Sequence, residues 1–188
     1  MENGELLQIA AGVTLVGQEG VVLSCYHARL EVRTEGARIL SVDFPHGVRV
    51  ISGGSLTMTK CTSTGEQIGV EEGASLVMED SRVFASSGQG VYCTGDLQMT
   101  RCTVESNALS GVDVFGRQAS AELVDCVIRK NTSSVMYVHA GTAVLRGGSV
   151  SENNRHGVGA WGCGKVAVAK AEEGKPQTVS KDDWATAR

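Results

Sequence analysis

The sequence is poor in aromatic residues, which make up 4 % of its 188 positions, and it holds two prolines. A core cannot be built from large rings here, so it has to come from Val, Leu, Ile, Ala, Met and Cys. Positive charge is not in excess either: the formal net charge is −4, and the Lys and Arg residues are scattered. Nucleic acid and anionic membranes both need a basic field, so neither is expected as the main partner. No apolar run approaches the roughly 20 residues that span a bilayer. The opening Met-Glu-Asn-Gly-Glu lacks the basic start and apolar stretch of a secretory signal, which predicts a cytosolic chain. Six cysteines are present (Cys25, Cys61, Cys93, Cys102, Cys126, Cys163), none in a C-x-x-C arrangement. Buried free thiols are expected in preference to a disulfide framework or a metal site.

What the sequence does have is glycine, 24 in all, and a repeat. Coil starts align at Gly47-Val48-Arg49-Val50, Gly69-Val70-Glu71-Glu72, Gly90-Val91-Tyr92-Cys93, Gly111-Val112-Asp113-Val114, Ser134-Val135-Met136-Tyr137 and Gly157-Val158-Gly159-Ala160. The spacing is roughly 22 residues, in the range of solenoid repeats. Each start is followed by apolar residues at alternate positions: Leu56 and Met58, Leu76 and Met78, Leu97 and Met99, Ala121 and Leu123, Ala143 and Leu145, Val166 and Val168. Alternation means strand. A small slot comes next (Cys61, Ser81, Cys102, Cys126, Gly148), then an apolar residue two later (Val83, Val104, Ile128, Val150). Five residues after the slot stand Glu66, Ser86, Asn107, Asn131 and Asn153, which predicts a corner column in which Asn takes left-handed backbone and stacks amide on amide.

Three short strands per repeat and no helical period predict an all-β fold, a right-handed parallel β-helix of about seven or eight coils. Residues 6–46 (Val13, Leu15, Val21, Leu23, Leu30, Val32, Leu40, Val42) read as irregular first coils and 47–168 as regular ones. The helix is expected to occupy 1–170, with a polar tail at 171–188 that caps the last coil or stays disordered. Over Gly47 to Val168 the pattern G-V-x-V-x-x-G-x-x-L-x-[LM]-x-x-C-x-[VI]-x-x-N resembles the right-handed β-helix repeats of the pectin-lyase-like superfamily. The opening Ala-Gly-Val-Thr-Leu-Val-Gly (11–17) is similar to the first coil of many such domains. The resemblance implies the fold. For function it implies a range that includes polysaccharide lyases and hydrolases, phage tailspikes, and the non-catalytic substrate-binding domains of F-box-type receptors.

Functional residues must lie on outward columns. Cys61, Cys102 and Cys126 share an inward one, and Cys93 takes the slot of Val50 and Val114. A Cys102–Cys126 disulfide is allowed by distance but not favoured by parallel Cβ directions. Lys60, Asp80, Arg101, Asp125 and Gly147 form a column of alternating sign, read as mutual charge relief. The outward column of the first strand reads Arg49, Glu71, Tyr92, Asp113, Met136, Gly159, and it is the best catalytic candidate. Glu71 and Asp113 would be two coils apart, roughly 10 Å, with Arg49 beside them. Tyr92, Phe115, His139 and Trp161 are the binding candidates, since such rings stack on a sugar or shield a corner. His27, His46 and His156 fall on different coils or corners and are read as exposed or turn histidines.

Of the motifs the resemblance would demand from a polygalacturonase-like hydrolase, only a tail Asp182-Asp183 and Arg155-His156-Gly157 come near. The clustered calcium carboxylates of pectate lyases are missing. The expectation is a non-catalytic scaffold that recognises a protein or glycan, with a carbohydrate-active enzyme using the acidic strip as the alternative, and with no cofactor or metal.

Overall fold

The computed structural model describes residues 7–8, 11–18, 30–155, 157–169 and 178–179. Within them the fold is the one expected, an all-β parallel solenoid, and no helix occurs. The chain winds through three sheets in turn, one short strand to each, and every strand pairs in parallel with its equivalent in the next coil. The first sheet has eight strands, among them Val48–Val50, Ile68–Val70, Val91–Cys93, Val112–Phe115, Met136–His139 and Val158–Trp161. The second has eight, including Ser55–Thr59, Ser75–Glu79, Asp96–Thr100, Ser120–Val124, Thr142–Arg146 and Lys165–Ala169. The third has seven, running from Asp43–Phe44 through Arg82–Ser86 to Ser149–Ser151 and Thr178–Val179.

Six coils, from Val48 onward, are regular, fewer than the seven or eight expected. The earlier strands Thr14–Val16, Leu30–Val32 and Ala37–Leu40 join the same sheets less evenly. Val21, Leu23, Cys25, His27 and His156 lie outside the described residues, as does most of the expected tail.

Alternation fills the interior. Leu56, Leu76, Leu97, Ala121 and Ala143 stack in register, as do Met58, Met78, Met99, Leu123 and Leu145, and all are buried. Each Leu or Met removed from water contributes about 1.5–3 kcal/mol, so the stack is the main stabiliser of an assembly whose contacts are almost all between neighbouring coils.

Two corners hold the strands at their angles. Lys60, Asp80, Arg101 and Asp125 all have positive φ, near +50°, and Gly147 follows at +65°. The charge column is therefore also a left-handed corner, where Arg101 Nε donates to Asp80 Oδ1 at 2.6 Å. At the corner into the first sheet the left-handed residues are Ala85, Ser106, Lys130 and Glu152. This corrects the expectation for the asparagines, which sit one residue later and turn inward. Asn107 and Asn131 are buried; Asn107 Nδ2 donates to Asn131 Oδ1 at 2.9 Å, and Asn131 Nδ2 to Asn153 Oδ1 at 3.0 Å. The same oxygens accept backbone N–H groups, so the amides satisfy donors the corner would otherwise strand inside.

Two coil starts sit in a different register from the one the glycine spacing predicts. Val50 pairs with Val70 and Val70 with Cys93, so Gly69, not Glu71, stands level with Arg49 and Tyr92. Asp113 pairs with Tyr137, not Met136, and Val112 with Met136. In both cases the alternating inward pairs (Ile68 and Val70; Met136 and Val138) decide the register. The glycine landmark does not, because corner lengths vary from coil to coil.

Candidate functional site

The outward column of the first sheet is Arg49, Gly69, Tyr92, Asp113, Tyr137 and Gly159. The paired carboxylates expected on this column are not formed. Glu71 falls in the turn after its strand, ion-paired with Arg49, and its other oxygen accepts the Ser52 N–H at 3.4 Å. Two coils and two residues away, it stands roughly 12 Å from Asp113 at Cα, well offset for joint acid and base work. Arg49 and Glu71 neutralise each other instead.

The four expected aromatics do come together. Phe115, His139 and Trp161 pair in register at the ends of three successive strands. The rings of Phe115 and His139 stack at 4.7 Å and 10°, and Tyr92 lies against Phe115 at 6.5 Å and 25°. Phe115 is 47 % exposed and Trp161 66 %, so the shelf presents ring to solvent. Tyr137 extends it beside Asp113. Beneath that ring lies Gly159, where an added Cβ would stand 3.5 Å from Tyr137 Cδ2.

One carboxylate faces this shelf. Asp113 lies between Tyr92 and Tyr137 in register and is half-buried. Gln89 Nε2 donates to its Oδ2 at 3.1 Å. Its Oδ1 is buried and finds no well-aligned donor among the described residues, although the Ser110 hydroxyl stands close enough to favour the charged form. Burial outweighs both groups and raises the carboxyl above the usual carboxylate range. Gln89 and Tyr137 escaped the sequence reading. The alternation of Met136 and Val138 held the signal for Tyr137, but nothing in one dimension joins Gln89 to a residue one coil on.

The third sheet carries a different cluster. Glu105, buried, accepts from Arg82 Nε at 2.8 Å and from Arg129 Nε at 2.8 Å, while the Arg82 guanidinium covers the Phe84 ring at 4.0 Å. Both carboxylate oxygens are used, which reads as a clamp joining three coils.

Cys61, Cys93, Cys102 and Cys126 are buried free thiols and Cys163 is an exposed one, a departure from the expectation that all would be buried. Cys163 sits in the turn after Trp161, where the small residues of a tight bend leave no interior to enter. Burial pushes the Cys93 thiol up to about 12.

Parallel strands wound coil upon coil, with an apolar interior and ring-bearing exterior, define a β-solenoid with one decorated face. More narrowly, residues 11–155 match the model of the right-handed beta helix region, and the chain belongs to that family. The solved structure of the periplasmic alginate epimerase AlgG superposes with a TM-score of 0.60 over 90 % of this chain and 47 % of that one, at 12 % identity. At that identity the likeness is one of fold. The chain spans about half the length of that structure. No curated protein matches the chain. No helix among the described residues is long and apolar enough to cross a membrane.

Proposed function

We propose that the first sheet is a glycan-recognition face and that the chain acts there as a non-catalytic binding scaffold. The observation that carries this reading is the run of exposed rings on successive coils. Tyr92 lies against Phe115 and Phe115 stacks on His139, with Trp161 next in register, so aromatic side chains follow the solenoid axis over successive coils. Exposed apolar ring surface, greatest at Phe115 and Trp161, with a few polar groups beside it suits sugars, whose C–H groups pack on aromatic carbon and whose hydroxyls seek hydrogen bonds. The fold shared with an epimerase that acts on alginate supports a carbohydrate over a protein ligand.

An enzyme remains the second reading, favoured by the raised Asp113 carboxyl in an outward, half-buried position, the setting in which a general acid is held. Among the described residues its column holds no second carboxylate, and Glu71 is paired with Arg49.

The test is to incubate the chain with a panel of polysaccharides and follow both binding and chain length. Binding that Phe115→Ala and Trp161→Ala each weaken about tenfold, with polymer length unchanged, is the expected result. Turnover abolished by Asp113→Asn would overturn the non-catalytic reading, and no binding to any glycan would overturn the face as a carbohydrate site.

A further inference from the structure

We infer that Asp113 is a proton-operated latch in the first sheet: as an anion it loosens the coil that carries it, and on taking up a proton it tightens that coil against its two neighbours. The latch works whatever the face binds.

The strand Val112–Phe115 lies between Val91–Cys93 and Met136–His139, in the middle of the regular coils. Asp113 points outward from it, yet its Oδ1 is buried and finds no well-aligned donor among the described residues. A carboxylate oxygen in that position has given up water and gained no aligned hydrogen bond in exchange. Protonation removes the charge and with it most of that loss.

The groups around it leave the charge uncompensated. Tyr92 stands level with Asp113 on the preceding strand and Tyr137 on the following one. From the corners, Gln89 Nε2 donates to Oδ2 at 3.1 Å, and the Ser110 hydroxyl lies within hydrogen-bonding reach. On the neighbouring column the His139 ring is engaged with Phe115, stacked at 4.7 Å. Arg49 is three coils back and held by Glu71, and Arg117 lies beyond Phe115 in the following turn. Asp113 thus has two neutral donors, and among the described residues no ion pair joins it to a cation. Glu105, with an arginine on each oxygen, is the contrast on the third sheet.

Burial accordingly outweighs the two donors, and the native state holds the Asp113 proton more tightly than the unfolded chain does. The sign follows. The cost of the anion is complete above the raised folded value, shrinks as pH falls through it, and is gone below the unfolded value of about 3.9. Because the stranded oxygen is buried in this coil, the cost falls where the three strands stack. Tyr92 and Tyr137 belong to the same stack, so the proton also sets how firmly the middle of the ring-bearing face is held.

Urea unfolding of the full chain, wild type against Asp113→Asn, tests this between about pH 8 and pH 4. Asparagine is neutral throughout and stands in for the protonated acid. At the upper end the variant should unfold at higher urea than wild type, and the two midpoints should converge as the pH falls. The ratio of their unfolding constants should change about tenfold for each unit by which the folded Asp113 value exceeds the unfolded one. A gap that does not vary with pH, or a variant less stable than wild type at the upper end, overturns the latch. Carbon NMR of the wild-type carboxyl groups serves if the variant fails to fold: Asp113 should titrate above about 3.9, and a midpoint at or below that value overturns the latch equally. Native-state hydrogen exchange tests whether the effect is local. Protection of the Val112 amide, which donates to the Val135 carbonyl at 3.0 Å, should fall as pH rises, once corrected for intrinsic rates. The Ser75 amide, bonded to Gly54 on the second sheet, should keep its protection. Equal loss at both amides, or none at Val112, overturns the latch.

Discussion

At the scale of single residues, what separates structure from function on this molecule is whether a polar group's partners are complete. Glu105 is buried yet fully satisfied, with Arg82 on one oxygen and Arg129 on the other. Burial by itself would raise its carboxyl, but the hydrogen bonds and charges of the two arginines outweigh burial and hold it below the usual range. A depressed folded pKa stabilises the native state at pH values above the unfolded carboxylate value of about 4.3, and the contribution is lost as pH falls through the lower folded value. Glu105→Gln should therefore cost about 1–3 kcal/mol at neutral pH in urea titrations, and the difference from wild type should shrink as the pH is taken below about 4. A difference that is constant with pH would show that the ion pairs contribute nothing. Asp113 is the opposite case, raised by burial and incompletely partnered, so its charge works against the fold at neutral pH.

At the scale of the element, corners decide more than strands do. The strands follow from alternation and tolerate exchange among Val, Ile, Leu and Met, whereas each corner places a residue in left-handed backbone. Gly148, at φ +79°, stacks on Cys126 so closely that an added Cβ would lie 2.0 Å from the Cys126 carbonyl oxygen. Gly148→Ala should lower stability by more than about 2 kcal/mol, through strain and collision together, and Ala85→Gly, at an exposed φ of +54°, should raise it by about 1 kcal/mol. Thermal melts of both variants decide this, and a neutral Gly148→Ala would mean that the corner relaxes freely. Corners also explain which part of the site was legible beforehand. Phe115, His139 and Trp161 could be aligned because each directly follows the second inward residue of its first strand, Val114, Val138 and Ala160. Glu71 was misplaced because its coil reaches the strand by a different corner length, and a shift of two residues leaves the inward and outward pattern intact while moving every side chain along the strand.

At the scale of the whole molecule, coil stacking puts the thiols in a sealed column and the rings on an open face. Native-state alkylation should label Cys163 promptly, while Cys61, Cys93, Cys102 and Cys126 react only after denaturant opens the coils, as peptide mass spectrometry would record. Early labelling of Cys102 or Cys126 would mean that the solenoid opens locally at its middle. Quantifying free thiol in the native protein would check that all four buried cysteines are unpaired.

The sequence by itself determined the period, the three-strand coil, the inward columns of Leu, Met and Cys, and the residues that end each first strand. These follow from a local rule, that alternate side chains face alternate sides, and a local rule can be read in one dimension. Tertiary structure alone decided which residues stand level across coils. It replaced Glu71 by Gly69 and Met136 by Tyr137 on the outward column, gave Arg49 to Glu71, and brought Gln89 to Asp113. Register between coils is decided by which alternating inward pairs stack on one another, and because corner lengths vary from coil to coil, residues some twenty positions apart carry no local mark of that stacking.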